Sequence, residues 1–520
     1  MTLGFGARYH PGRGSRPSRR REKGLDPGDR RPPLNSNREF AALAGLLLLT
    51  FGLRAIGADQ PIVENYVGRQ IPTAMVARNL DRGSGFLRPQ VDTAPFPNLF
   101  LVEPPLEPAA VLGLCRMSGF GLERSGRLVS ALATALAAWG LYGLARRREG
   151  VAVALLAVAA FALFPLTLRY GRAFQPDAMM LGGVLVGLRC WDEYESGNGR
   201  GWLVLGWLAL ATGFALKVVW ASALIPLVAV VLRPRQGWKA ALALATVLPA
   251  LLWYVHAAVL LAEGGGSKAS GDNGAIWLSV LVPSALLRMT TWTSAAWVTG
   301  VRAFTPVGAA MAVWGLSRLR GGDRLWTVWG TSTLITLGVL AGKLHHEYYW
   351  LSLAPVVAVE FARGLMDLSA RGTWGARLAV ALGGVAVGLS GFQSSNTWRT
   401  PLEWTTLPAA AEAVRAHVPA DAWVVAPEAL LFASDRRGCR LEFSRGSVLR
   451  AAGEWGETLP GDDAFALVEF YRGRGARFFA DVGTAQPARL ALHEAIRRRY
   501  KILVDRPGVL VAALVEYGEP

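Results

Sequence analysis

Between Phe40 and Gly391 the chain carries about eleven apolar runs divided by short polar turns, and this repetition constrains the fold more than any other feature. The runs are Phe40–Ile56, Leu128–Ala145, Val151–Leu168, Ala178–Trp191, Trp202–Leu216, Val218–Leu232, Ala240–Ala262, Ala303–Leu316, Leu325–Gly342, Tyr348–Phe361 and Leu378–Gly391. A perpendicular membrane helix needs roughly 20 residues, so the shorter runs must be extended by their flanks or buried within a bundle. With 52% hydrophobic and 18% charged residues in a chain of 520, a set of soluble domains is excluded. The expected class is mostly α, a polytopic membrane protein followed by a small C-terminal α/β soluble domain. The first run ends among small residues at Ala55–Ala58, as a signal peptide would. The long basic lead and the many later runs favour a retained helix instead.

Charge gives the orientation. Much of the net charge of +17 lies before residue 39 and in short loops, in tracts such as Arg19–Arg21 and Arg30-Arg31. No aromatic–basic surface pattern accompanies it, so the partner is membrane lipid and not nucleic acid. Alternate loops hold Arg146–Arg148, then Arg233, Arg235 and Lys239, then Arg318, Arg320 and Arg324, then Arg363, Arg371 and Arg377. Basic loops stay inside, which puts the N-terminus in the cytoplasm. The loop Trp191–Arg200 carries Asp192, Glu193 and Glu195, but acids weigh little in this rule. The outer, periplasmic side then receives 57–127, the Tyr170–Gln175 turn, Glu263–Thr299, the Lys343–Glu347 turn and everything after Ser394. In a bacterium this is the inner membrane, and abundant Arg, Ala and Gly fit a GC-rich bacterial genome.

Three domains follow: a disordered basic tail over 1–38, a transmembrane domain over 39–395 and a soluble α/β domain over 396–520. Ile71–Leu80 and Ile276–Met289 read as short amphipathic helices in the headgroup plane, although Pro283 suits an irregular loop equally. Beyond Thr397, Ala409–His417 and Asp463–Arg474 read as helices, and Trp423–Ala426, Arg477–Ala480 and Ile502–Val504 as strands. That region has no nucleotide loop, clustered metal ligands or nucleophile motif. Cys115, Cys190 and Cys439 are too scattered for a disulfide framework or a metal site and read as apolar fillers.

Three charged clusters share the outer face, and ionisable groups at the mouth of membrane spans are functional candidates. Gly342–Pro355, GKLHHEYYWLSLAP, crowds Lys343, His345, His346, Glu347, Tyr348 and Tyr349 between two apolar runs. Its cations could meet a phosphate; an aromatic belt is the plainer use of the tyrosines, and a zinc site has no third ligand. The segment Asp59–Arg69 offers Asp59 and Glu64, either of which could accept a proton with Arg69 positioning it, unless both are solvated loop acids. Arg172 and Asp177 sit in a turn, where Arg172 could fork onto phosphate oxygens and Asp177 could hold that Arg or contact sugar hydroxyls, unless the two simply close the turn as a pair. Lys217 stands alone between two apolar runs as another cation, and His256, inside a run, suits a satisfied core histidine.

The segments GRQIPTAMVARNL, EPPLEPAAVLGL, RYGRAFQPDAMML and HHEYYWLSLAP give residues 39–395 a resemblance to GT-C glycosyltransferases. The group in question contains the protein O-mannosyltransferases and the lipid A aminoarabinose transferase. The resemblance implies a sugar donor linked to polyprenyl phosphate, undecaprenyl phosphate in a bacterium, and a catalytic acid in the first outer loop. By position that acid is Glu64, with Asp59 second; Glu64-Asn65 replaces the paired acids common in the group, so the choice stays open. Sugar, acceptor (glycan, lipid or protein) and any divalent metal are not specified. The rival class is a transporter or flippase, but internal repeats and midplane broken helices are not evident in the sequence.

Overall fold

The computed structural model describes residues 36–64, 66–232, 237–263, 285–318, 324–459, 461–483 and 486–516. Helices dominate to residue 394. They begin with α1 (Ser36–Ala55), α2 (Val67–Asp81), α3 (Leu106–Ser118), α4 (Leu122–Glu149), α5 (Val151–Leu163), α6 (Pro165–Tyr170), α7 (Asp177–Glu195) and α8 (Arg200–Leu216). After an irregular 3-10, α and π stretch over 218–231 come α9 (Gly237–Ala262), α10 (Met289–Trp297), α11 (Pro306–Ser317), α12 (Leu325–Val339), α13 (Ala354–Ser369) and α14 (Thr373–Ser394).

Among the described residues three helices are long and apolar enough to cross a membrane: α4, α9, and α14 with its continuation to Trp404. Five shorter apolar helices accompany them, so several expected runs are broken, each for a local reason. Pro165 divides Val151–Leu168 because it has no N–H for the carbonyl of Phe161. Thr167 Oγ1 donates to that carbonyl instead. The fully buried Arg54 of α1 donates to Ala162 O and Thr167 O, each at 3.1 Å. Arginine thus supplies donors that the interrupted backbone lacks. Tyr348–Phe361 starts as a 3-10 turn over Glu347–Leu353 before α13.

Helix α7 lies between α4 and α8 because it presents no side chain where they touch. A Cβ on Gly182 would stand 2.8 Å from Ala133 O, and one on Gly183 would stand 2.6 Å from Ala209 O. Small residues permit this backbone approach where lipid offers no hydrophobic drive between helices.

The C-terminal region begins with α15 (Leu407–His417), β1 (Val424–Ala426), α16 (Glu428–Ser434), β2 (Gly438–Arg440), α17 (Arg445–Gly453) and α18 (Ala464–Arg472). It ends with β3 (Phe478–Val482), α19 (Pro487–Arg499), β4 (Tyr500–Arg506) and β5 (Val509–Glu516). The sheet order is β2-β1-β3-β5-β4, with β1 parallel to β2 and β3, and β5 antiparallel to β3 and β4.

This region is docked on the segment between α1 and α3. Gly438 N donates to Asp92 O at 3.0 Å, and Ala94 N donates to Gly438 O at 2.7 Å, so Asp92–Ala94 extends the β2 edge. The fully buried Asp92 carboxylate gathers Arg78 at 2.5 Å, Arg82 at 3.3 Å and Arg437 at 3.5 Å. This corrects the reading of Ile71–Leu80 as an interfacial helix. Residues 71–77 of α2 are all buried, because the C-terminal region and the bundle cover both faces. Most of Ile276–Met289 falls outside the described residues, as do residues 1–35 of the tail.

Candidate active site

Two adjacent helix ends build the centre of the site. Asp177 opens α7 after Pro176, where the helix N-terminus favours a negative charge. Lys217 closes α8, where the C-terminus favours a positive one. A short turn joins the two helices at their far ends, so these near ends meet. Lys217 Nζ lies 2.5 Å from Asp177 Oδ1, with both side chains at least nine-tenths buried. Asp177 Oδ2 is buried and has no hydrogen-bond partner among the described residues. Lys217 Nζ also stands over the Tyr348 ring at 4.4 Å from its centroid and near Tyr349 at 5.3 Å.

A second pair comes from the start of α2 and the EPPLEP segment. Arg69 is ion-paired with Glu103 and stands over the Phe100 ring at 5.1 Å. Glu107, in the first turn of α3, is fully buried. Burial first, then the charges of Glu103 and Asp177, hold its carboxyl well above the usual range. Glu103, Glu107, Pro176 and Leu216 line one small cavity, which joins the two pairs.

Aromatic rings close the mouth. Tyr66 contacts His346 edge-on at 4.9 Å and Tyr348 at 5.4 Å; Tyr170 reaches Tyr348 at 6.0 Å. His346 stacks with Tyr348 at 5.5 Å. Burial, then His345, Lys343 and Lys217, push the His346 imidazole down to about 3, so it is neutral at physiological pH. His345 is exposed and lines a neighbouring cavity of about 200 Å³ with Arg288, Thr290, Thr291, Ser294 and Gly342. Glu347 holds the turn by accepting from Arg169 at 2.8 Å and from Arg302.

The structure thus brings Arg69, Asp177, Lys217, His346 and Tyr348 together, with Lys343 and His345 in the adjoining turn. The first-loop acids stand differently. Both oxygens of the buried Glu64 are taken by Arg127, at 2.7 and 2.8 Å from Nη2, and Nε adds a bond of 2.9 Å. Arg127 also donates to Ala58 O and Pro61 O at 2.8 and 2.9 Å, which fixes the loop. Asp59 is exposed and paired with Arg124 at 2.6 Å. Arg172, expected either at a phosphate or closing its turn, is fully buried and donates to Thr397 O at 2.7 Å and to Gly57 O at 3.0 Å. It ties the first loop to the end of α14. His256 is half-buried at the bundle surface, not in a core, and is hydrogen-bonded to Leu87 O at 2.8 Å.

Sequence reasoning missed Glu103, Glu107 and Arg127. Two proline-flanked acids in EPPLEP, at the entrance to an apolar bundle, were a signal for the first two. Arg127 had none, because it pairs with a residue 63 positions away.

The model for the family described as dolichyl-phosphate-mannose-protein mannosyltransferase matches residues 102–259. No curated protein matches the chain. Among solved structures, ArnT from Cupriavidus metallidurans, bound to undecaprenyl phosphate, is 15% identical, with a TM-score of 0.59 over 92% of this chain and 98% of that one. The oligosaccharyltransferase AglB from Archaeoglobus fulgidus, in complex with an inhibitory peptide and a dolichol-phosphate, is 11% identical, with a TM-score of 0.55 over 93% and 75%. The mycobacterial arabinofuranosyltransferase AftD is 16% identical, with a TM-score of 0.52 over 94% of this chain and 40% of that one. A bundle that ends in a docked α/β region, matched across nine-tenths of its length, makes this chain a polytopic membrane protein with the GT-C glycosyltransferase fold.

Proposed function

We propose that the protein is a glycosyltransferase that moves a sugar from a polyprenyl-phosphate donor to an acceptor at the outer face of a bacterial inner membrane. Its N-terminus is cytoplasmic and its C-terminal α/β domain, 396–520, is periplasmic, following the basic alternate loops. ArnT is described with undecaprenyl phosphate and AglB with a dolichol-phosphate, which supports a lipid phosphate as the carrier. The observation that carries the reading is Asp177 Oδ2, a buried carboxylate oxygen with no partner among the described residues, beside a cation and under aromatic rings. A buried polar atom left unsatisfied calls for an explanation, and an acceptor hydroxyl supplies one.

In this reading the acceptor oxygen attacks the anomeric carbon, and the bond from that carbon to the phosphate oxygen breaks. The hydroxyl proton passes to Asp177 Oδ2. Lys217 and Arg69 stabilise the departing lipid phosphate, with Lys343 and His345 meeting it at the mouth. Glu103 holds Arg69, while Tyr348 and His346 bound the sugar. Glu64 and Asp59, the acids expected from the first loop, are positioning residues here; for Glu64 the reason is that both oxygens are held by Arg127. The test is transfer of radiolabelled sugar from undecaprenyl-phosphate donors by the reconstituted protein. Lipid scrambling or export in the same vesicles, without formation of a glycosidic bond, would overturn the proposal in favour of a transporter.

A further inference from the structure

A cavity of about 450 Å³ lies in the C-terminal region, away from Asp177. It opens between one face of α19, carrying Leu490, His493 and Arg497, and the β4–β5 turn Arg506–Gly508. The turn is tight because Gly508 has φ +78 and a Cβ there would stand 2.7 Å from the Thr406 side chain.

Its charges do not cancel. Asp505 accepts two bonds from Arg497, Nε at 2.8 Å and Nη2 at 2.9 Å, so that pair is internally neutral. Behind the cavity, the fully buried Asp481 receives Arg489 at 3.0 Å, which neutralises a second acid. Arg506 lines the cavity with no ion pair among the described residues, and it remains as excess positive charge.

His493 adds the decisive group. It is only 6% exposed, and its Nε2 is bonded to Asp481 Oδ2 at 2.9 Å. With Nε2–H given to a carboxylate, Nδ1 is the remaining polar atom, and it has no hydrogen bond among the described residues. A nine-tenths-buried imidazole held by one nitrogen, with the other unengaged in a cavity of excess positive charge, is a site prepared for an anion that brings its own hydrogen-bonding oxygen.

We propose that this cavity binds a phosphate group. A protonated phosphate oxygen donates to His493 Nδ1 while another oxygen accepts from Arg506, and a guanidinium suits this geometry. The site is independent of the transfer reaction, so its test does not depend on that activity.

The full-length protein in detergent is titrated with inorganic phosphate, and hydrogen–deuterium exchange is followed over 487–510. Phosphate should protect the cavity-facing part of α19 and the β4–β5 turn. Arg506→Gln, at an exposed position, should weaken the effect about tenfold, the loss expected for one charge-assisted contact, with sugar transfer unchanged. His493→Gln should weaken it as well, and the unfolding profile shows whether that variant remains folded. Parallel arms with glucose 1-phosphate and with phosphatidylglycerol vesicles assign the phosphate to a soluble compound or to a lipid headgroup. Equal protection in the parent and Arg506→Gln, or none from any of the three probes, would overturn the proposal.

Discussion

Asp177 and Lys217 stand at the near ends of two neighbouring helices, one at an N-terminus and the other at a C-terminus, with Oδ1 and Nζ 2.5 Å apart. Each helix end favours the charge it carries, and each charge offsets the burial of the other. In the proposed mechanism, a phosphate that draws Lys217 toward itself leaves Asp177 as the base.

Asp177→Asn should therefore lower turnover by ~10²–10⁴ while donor lipid still binds, since the amide keeps the shape and loses the proton acceptor. Lys217→Met should act mainly on donor use. Steady-state transfer measured against donor concentration separates the two. Full turnover in Asp177→Asn would remove Asp177 from the chemistry.

Glu64→Gln is expected to behave as a stability variant. It leaves the fully buried Arg127 without its carboxylate, and breaking a buried pair costs about 3–5 kcal/mol. Thermal unfolding in detergent measures the loss, and Arg127→Met should lose at least as much, because it also strips Ala58 O and Pro61 O of their donor. An unchanged melting profile with turnover lost would return the base to Glu64.

Asp92→Ala removes the carboxylate that gathers Arg78, Arg82 and Arg437 between α2 and the C-terminal region. Limited proteolysis should then cut the connection over 397–406 faster than in the parent. An unchanged digestion pattern would mean that the apolar contacts hold the docking alone.

Burial pushes the Glu428 carboxyl from its ordinary value of 4.5 up to about 8. Between these values the folded protein binds more protons at this position than the unfolded chain, so stability falls as pH rises from 4.5 to about 8. Glu428→Gln should flatten that slope. Its melting temperature should gain on the parent through this window, and parallel curves would refute the assignment.

Cysteines introduced beside Arg147 and beside Asp462, in a background without Cys115, test the orientation. A membrane-impermeant thiol reagent added from the periplasm should label the second and spare the first. The reverse pattern would invert the bundle.

How much of this was legible depended on the range of the signal. Runs such as Leu128–Ala145 announce themselves because lipid selects composition residue by residue. Asp463 was readable as a helix start, and its Oδ1 accepts from Ala466 N at 2.7 Å. Strand β5 was not, because VLVAALV is a continuous apolar stretch that fits a buried helix as well as a strand. Strand β2, Gly438-Cys439-Arg440, is too short to show alternation and takes its place by pairing with β1 and with Thr93. In the site, Asp177, Lys217 and Arg69 stood out as charges beside apolar runs. What Arg172 and Glu64 do was hidden, because Thr397 and Arg127, their partners, come from distant parts of the chain.

The glycines of α7 also act as a gauge for the Asp177–Lys217 pair. Gly183 sets how near α8 can lie, and Lys217 is the last fixture on that helix before its turn changes. A methyl group at 183, more than a helical turn from the acid, would work as a spacer that pushes the ammonium away from Asp177. The separation of Asp177 and Lys217 is therefore written partly in positions that carry no functional group.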